Sequence, residues 1–149
     1  MTVLRCLPAA FSLAALLLPV PSRAQDLSAR IDQAVQRAAP EIVEIRHRLH
    51  QNPELSNRET QTAALVADYL KKLGLEVRTG IAKTGVVGIL KGGKPGPVVA
   101  VRADMDALPV TEQTDLPFRS TKRDTFLGQE IGVAHACGHD IHTSVQLGV

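Results

Sequence analysis

The sequence predicts an α/β protein with helices layered on a mixed β-sheet, and the spacing of its apolar residues carries this prediction. Apolar residues recur every three or four positions over 27–51 and over 63–73, which is typical of amphipathic helices. Further along, the pattern changes to alternation and to short apolar runs at 86–90 and 98–101, which is typical of strands. Helices followed by strands and then by another helix indicate a layered α/β domain.

Individual residues predict where the first two helices bend, begin and end. Pro40 falls inside the first helical pattern, so we expect a kink or two helices that meet near Ala39. Ser56 and Glu59 have the spacing of a capping box and predict the start of the second helix. Gly74 follows the last periodic residue and predicts its end.

Three segments after the second helix predict strands, and a fourth region predicts a loop. Residues 75–78 alternate as a half-buried strand. The runs 86–90 and 98–101 are separated by a turn rich in glycine and lysine, so we expect them to pair in antiparallel fashion. Residues 107–134 predict a loop with little regular structure, and a loop of that length in a compact domain is usually functional.

The first 24 residues have the three parts of a secretory signal peptide. One positive charge at Arg5 precedes an apolar run, and the small residues Ser22 and Ala24 precede the expected cleavage site. The run is too short to span a bilayer, so no stable membrane anchor is expected. A buried N-terminal helix is the alternative interpretation. We expect a secreted or periplasmic protein with the domain in residues 25–149.

Charge and cysteine content exclude one class of partner and one kind of crosslink. The chain has 17 Lys and Arg against 15 Asp and Glu, and the predicted leader contains Arg5 and Arg23, so the remainder is balanced. With no Trp and one Tyr, it lacks the positive, ring-rich surface that nucleic-acid binding requires. Cys137 is the only cysteine beyond the leader, so no internal disulfide is expected.

A dense cluster of electron-pair donors lies between residues 135 and 142. His135, Cys137 and His139 alternate there with small residues, followed by Asp140 and His142. Thiolate, imidazole and carboxylate are the protein ligands of transition metals, so the cluster predicts metal binding. Cys137 as a nucleophile activated by His139 or His135 is an alternative. Asp140 is expected to cap the following helix or to bind, and His142 to face the site or to occupy the first turn.

Four further polar residues have two interpretations each. Asp104 and Asp106 follow an apolar run and project to one side, so they are suited to bind a metal or to orient a ligand from behind. Capping aspartates in a turn are the alternative. His47 and His50 lie near the end of the first helix, where a solvated basic face is expected in preference to catalysis.

Four stretches of the chain, in order, are similar to motifs of one known family. They are Arg46-His47-x-Leu49-His50-x-x-Pro53-Glu54-Leu55 with Glu59-Thr60, then Gly85-Val86-Val87-Gly88, then Val101-Arg102-Ala103-Asp104-Met105-Asp106-Ala107-Leu108-Pro109-Val110-x-Glu112, then His135-Ala136-Cys137-Gly138-His139-Asp140-x-His142. The chain resembles the amidohydrolase branch of the aminoacylase and carboxypeptidase metallohydrolases. That branch includes hippurate hydrolases and hydrolases of indole-acetyl amino-acid conjugates.

The resemblance implies a function and a set of site residues. It implies hydrolysis of the amide bond of small N-acyl amino acids at two divalent metal ions, zinc or manganese. By position, Cys137 and His139 would be metal ligands, and Asp106 would be the catalytic carboxylate that supports the site. More distant relatives have a histidine ligand in place of Asp104. The resemblance also implies an inserted lid and dimerisation domain, which allows a homodimer.

The same resemblance predicts that residues 25–149 are an incomplete catalytic domain, truncated before the inserted domain. The general-base glutamate and the other ligands of the family would lie beyond Val149. We therefore expect residues 1–149 alone to be inactive. A non-catalytic metal-binding or interaction remnant of the same family is the alternative function.

Overall fold

The computed structural model describes residues 23–149, and residues 1–22, with most of the predicted signal peptide, lie outside the described residues. The described part contains three helices and four strands. In chain order they are α1 (Arg23–Gln51), α2 (Thr60–Lys72), β1 (Glu76–Ile81), β2 (Gly85–Ile89), β3 (Arg123–Phe126), β4 (Gln129–Gly132) and α3 (His139–Gly148). Among these helices, none is long and apolar enough to cross a lipid bilayer.

Helix α1 is one continuous helix that contains Pro40. Of the two expectations at Pro40, a kink or two helices that meet near Ala39, the second is wrong. A proline removes one backbone donor, while the hydrogen bonds on both sides of it can persist. The C-terminal half of α1 packs against α3. A methyl group added at Gly148 of α3 would lie 3.2 Å from Ile42 of α1, so the two helices approach closely at this glycine.

The start of α2 is capped by a residue other than the predicted one. The helix begins at Thr60, and its N-cap residue is Glu59. The side chain of Glu59 makes no capping hydrogen bond to the first turn, so the predicted capping box is wrong. Instead the carboxylate of Glu54 accepts hydrogen bonds from the backbone N–H groups of Gln61 (3.1 Å) and Thr62 (2.8 Å). A carboxylate reaching in from the preceding turn satisfies the free donors that every helix start leaves.

Strands β1 and β2 form an antiparallel hairpin that directly follows α2. Gly74, with φ of +80°, ends α2 as predicted, and β1 begins two residues later. The predicted pairing of 86–90 with 98–101 is wrong, since the strand that pairs with β2 is β1, which precedes it in the chain. Residues 98–101 are not in a strand, and Val98 is 98% exposed. No described strand pairs with this apolar run.

Strands β3 and β4 form a second hairpin within the region predicted as loop. Leu127 and Gly128 link them, and both have positive φ, 51° and 80°. Two central residues with positive φ match the tight turn that joins two antiparallel strands. The loop prediction is therefore wrong for residues 123–132. Leu127 stands where such a turn usually has Asn or Asp before the glycine, so the sequence did not predict a hairpin here.

A small apolar core joins three distant segments and brings the predicted site residues together. Its buried members are Leu55, Ala107 and Val133. Ala107 donates its N–H to the carbonyl of Glu54 (2.7 Å), and Leu108 exchanges two backbone hydrogen bonds with Ala134. These bonds place the chain around residues 104–106 directly beside the segment that leads into α3.

Candidate metal centre

His139 begins α3 and is oriented from behind by Asp106. Its Nδ1 lies 2.8 Å from the backbone oxygen of Asp106 and 3.0 Å from the Oδ1 of the same residue. A backbone carbonyl can only accept, so Nδ1 carries the proton, and Nε2 of the neutral ring has a free electron pair. Such a contact behind the ring fixes the tautomer of metal-binding histidines. The structure thus places Asp106 in contact with His139, and its role in supporting a metal site stays a prediction.

The free nitrogen of His139 faces Asp104, which also contacts His142. Nε2 of His139 lies 3.5 Å from Asp104 Oδ2, and His142 Nδ1 lies 2.7 Å from Asp104 Oδ1. The hydroxyl of Thr143 donates to the backbone oxygen of Asp104 (2.9 Å) and ties it to α3. The hydrogen bond from His142 lowers the pKa of Asp104, against an opposing effect of burial. Asp104 is therefore an ionised carboxylate that faces Nε2 of His139.

One group of His, Cys, Asp or Glu side chains in residues 23–149 has at least three possible metal-ligand atoms within 4.8 Å of one another. Its members are Asp104, His139 and His142. Ligands about 2.0–2.1 Å from a tetrahedral zinc ion lie roughly 3.3 Å apart, so a small inward movement would let these atoms share an ion. A ring nitrogen beside a carboxylate is a pair of donor types that one metal ion can share. Cys137 is exposed and is not in this group, so the structure brings together His139 and Asp106 but leaves Cys137 apart.

Behind α3, the carboxylate of Asp140 is bound by helix α1. Asp140 is 1% exposed, and its Oδ2 accepts hydrogen bonds from Arg46 Nε (2.9 Å) and His50 Nδ1 (2.8 Å). Asp140 makes no capping hydrogen bond, and Gly138 is the N-cap residue, so the predicted capping role is wrong. The prediction of a solvated basic face is also wrong for His50, which is 8% exposed.

Glu112 lies on the other side of His50 and was not predicted to have a role. Its Oε1 lies 3.0 Å from His50 Nε2, and its carboxylate also accepts from the Thr114 hydroxyl (2.6 Å) and the Ser120 N–H (2.6 Å). Burial raises the pKa of Glu112, but these hydrogen bonds outweigh it and lower that pKa to about 2. Glu112 belongs to a matched motif, yet no local spacing relates it to a histidine 62 residues away.

The other two predicted histidines lie near this network without joining the donor group. His135 is buried, and neither of its ring nitrogens has a hydrogen-bond partner among residues 23–149. Burial lowers the pKa of His135 to about 4, because an unpaired imidazolium is costly away from water. The ring of His47 stacks on Phe118 with the ring centres 3.8 Å apart, so His47 also differs from the predicted solvated face.

Comparison with known proteins identifies relatives of this chain. Residues 100–149 match the profile of the peptidase family M20/M25/M40. The chain is 47% identical over 124 residues to thermostable carboxypeptidase 2 of Saccharolobus solfataricus, which covers 83% of the chain and 30% of that protein. It is 51% identical over 104 residues to hippurate hydrolase of Campylobacter jejuni, which covers 70% of the chain and 25% of that protein.

A solved structure gives the same result for the fold. The YxeP protein of Bacillus subtilis, described as a dinuclear metal-binding peptidase of family M20, superimposes with a TM-score of 0.66 at 39% identity. The match covers 75% of this chain and 29% of that one. The chain thus spans less than a third of the length of these relatives. The structural match confirms the predicted α/β metallohydrolase fold. Its motifs, its relatives and its fold agree, and the chain belongs to the peptidase family M20/M25/M40.

Proposed function

We propose that the whole gene product is a metal-dependent hydrolase of the amide bond in small N-acyl amino acids or related conjugates. The orientation of His139 carries this proposal. Asp106 holds the proton on Nδ1, which leaves Nε2 as the ring nitrogen that can bind a metal, and Nε2 lies 3.5 Å from the Asp104 carboxylate. The similarity to a hippurate hydrolase and to a carboxypeptidase supports an amide or peptide bond as the target.

The site residues have separate proposed roles. His139 and Cys137 bind metal, Asp106 keeps the ring of His139 in its binding tautomer, and Asp104 adds negative charge opposite Nε2. We propose two ions, zinc or manganese, by analogy with the dinuclear structure of the B. subtilis relative. When bound, such ions lower the pKa of a water molecule and polarise the scissile carbonyl.

Cys137 needs a local rearrangement to reach these donors. It lies in the turn before α3, next to Gly138, which has φ of +76° and no atoms within 4 Å of where a Cβ would be. A glycine in open space can change its backbone angles at little cost. We propose that this turn closes when Cys137 binds metal as a thiolate.

Residues 1–149 alone are proposed to be inactive, because the described residues gather a single group of three donors. A site for two ions needs more ligands than this group supplies.

We also propose a secreted or periplasmic location, and a homodimer in the whole protein. N-terminal sequencing of protein recovered from the periplasm should begin at Gln25, whereas an intact Met1 would contradict the signal peptide.

The hydrolase proposal is tested with the whole gene product and a panel of N-acyl amino acids. Activity should vanish on dialysis against a chelator and return with zinc or manganese. His139→Ala should lower kcat/KM by at least about 100-fold, as loss of a metal ligand costs at least as much as loss of its supporting group. His47→Ala is the matched control and should change kcat/KM by less than about 3-fold, since a ring stacked on Phe118 is outside the donor group.

Two results would contradict the proposal in different ways. A protein that hydrolyses the panel equally well without metal is not a metallohydrolase. A protein that binds zinc or manganese through His139 but converts no substrate would fit the non-catalytic metal-binding alternative instead.

A further inference from the structure

We propose that Asp140 is a positioning residue for metal binding, and that Arg46 and His50 act through it to direct His139 at the metal. We call Arg46, His50 and Asp140 the Asp140 clamp. This inference rests on the proposed function only in taking His139 as a metal ligand. It gives a role to two residues of α1 that do not contact the donor group.

The clamp and the donor group lie on different faces of α3. Successive residues of a helix are rotated by about 100°, so Asp140 and Ser144 share one face while His139, His142 and Thr143 share another. Asp140 and Ser144 are both 1% exposed, and the Ser144 hydroxyl donates to the backbone oxygen of Asp140 (2.7 Å). Contacts on the buried face therefore set the rotation of α3, and that rotation sets the direction of His139.

The clamp is suited to fix this rotation. One oxygen of Asp140 accepts hydrogen bonds from two side chains of α1, and burial makes such charge-assisted bonds strong and directional. A helix rotation of about 10° would move an atom roughly 6 Å from the axis by about 1 Å. Metal–ligand distances tolerate only about 0.2 Å, so a rotation of this size would disrupt binding.

The far side of His50 is fixed as well. Its Nε2 lies 3.0 Å from Glu112, whose carboxylate is held in turn by Thr114 and Ser120. The ring of His50 is thus bound at both nitrogens and cannot turn away from Asp140 without losing two partners. This arrangement transmits the position of α1 to the first turn of α3.

The test is titration of the metal-free whole gene product with Co²⁺, a probe whose d–d absorption reports coordination geometry. Asp140→Asn keeps the size of the side chain and removes its charge. It should weaken Co²⁺ binding about 10-fold and change the absorption spectrum of the bound ion, the effect expected of a group behind a ligand. Arg46→Gln is the second variant, should Asp140→Asn fail to fold, and should act in the same direction.

Two controls separate positioning from general destabilisation. Glu54→Gln weakens the cap of α2 and does not touch the clamp, so it should leave the Co²⁺ affinity within about 2-fold and the spectrum unchanged. In a His139→Ala background, Asp140→Asn should have an effect below about 2-fold, because its route to the metal has been removed.

Each outcome supports or overturns the inference. Equal effects of Asp140→Asn with and without His139, or an unchanged affinity and spectrum, would overturn it while leaving the hydrolase proposal intact. A parent protein that binds no Co²⁺ at all would overturn both.

Discussion

Two regions of this chain differ from their predicted exposure to solvent, and they differ in opposite directions. The polar residues around Asp140 are buried and find partners among the described residues, while the apolar run 98–101 is exposed and unpaired. A solvated basic face was expected around His47 and His50, and a strand was expected at 98–101. The difference shows that the partners available to a segment decide its burial, since hydrophobicity by itself cannot.

The polar region satisfies its hydrogen bonds through contacts between residues that are far apart in sequence. Arg46 and Asp140 are 94 residues apart, and His50 and Glu112 are 62 apart. The run 98–101 would need a neighbouring strand to pair its backbone groups. In the two described sheets, β1 pairs only with β2 and β3 only with β4. Four substitutions test this contrast.

Asp140→Ala should destabilise the protein by about 3 kcal/mol, because it leaves Arg46 and His50 facing a buried space without their shared acceptor. Urea unfolding measures the loss. The exposed pair between Lys71 and Asp68 is the control, and Asp68→Ala should cost less than about 0.5 kcal/mol. If the two substitutions cost the same, the buried network has no special stability.

Glu112 should make stability depend on pH. Its pKa of about 2 in the folded chain lies below the ordinary 4.5, so its stabilisation is present above pH 4.5 and is lost as the pH falls towards 2. The unfolding free energy of the parent relative to Glu112→Gln should fall by about 2 kcal/mol over that window. A difference that is constant with pH would show that Glu112 is not held by these hydrogen bonds.

Glu54→Gln should cost about 1 kcal/mol, because a neutral amide oxygen is a weaker acceptor for the free N–H groups of Gln61 and Thr62 at the start of α2. Thermal unfolding detects this change. Ser56→Ala is the matched comparison and should be nearly silent. A larger effect at Ser56 would restore the capping box that the sequence predicted.

Val99→Lys should change the unfolding free energy by less than about 0.5 kcal/mol, since Val99 is exposed in the described structure. It should also raise the solubility of the 149-residue chain, because it breaks an exposed apolar patch. A loss above 1 kcal/mol would mean that this run is buried by a partner in solution.

The sequence predicted best what local pattern controls. The two long helices, the stop at Gly74, and strands near residues 76–81 and 85–89 follow from spacing and from one glycine. The chemistry of the site was predicted from motif resemblance, and Asp106 contacts His139 in the structure, while its supporting role stays a prediction. The assignment of Cys137 as a ligand stays a prediction.

What the sequence did not predict depends on contacts between distant residues. His50 is buried against Glu112 and Asp140. The sequence around residue 50 does not predict a contact with either of these distant residues. The cap from Glu54 depends on how the chain turns before α2. The turn of the β3–β4 hairpin has Leu127 before Gly128 in place of the usual Asn or Asp, so its strands were interpreted as loop.

The long separation within the Asp140 clamp has a consequence during synthesis. Arg46 and His50 leave the ribosome well before Asp140, which follows Arg46 by 94 residues. At typical rates of about 5–20 residues per second, they wait roughly 5–20 s for their partner. Helix α1 must spend that time with its future buried face in water, so a nascent chain that pauses before residue 140 would present an unpaired basic helix face to chaperones and proteases.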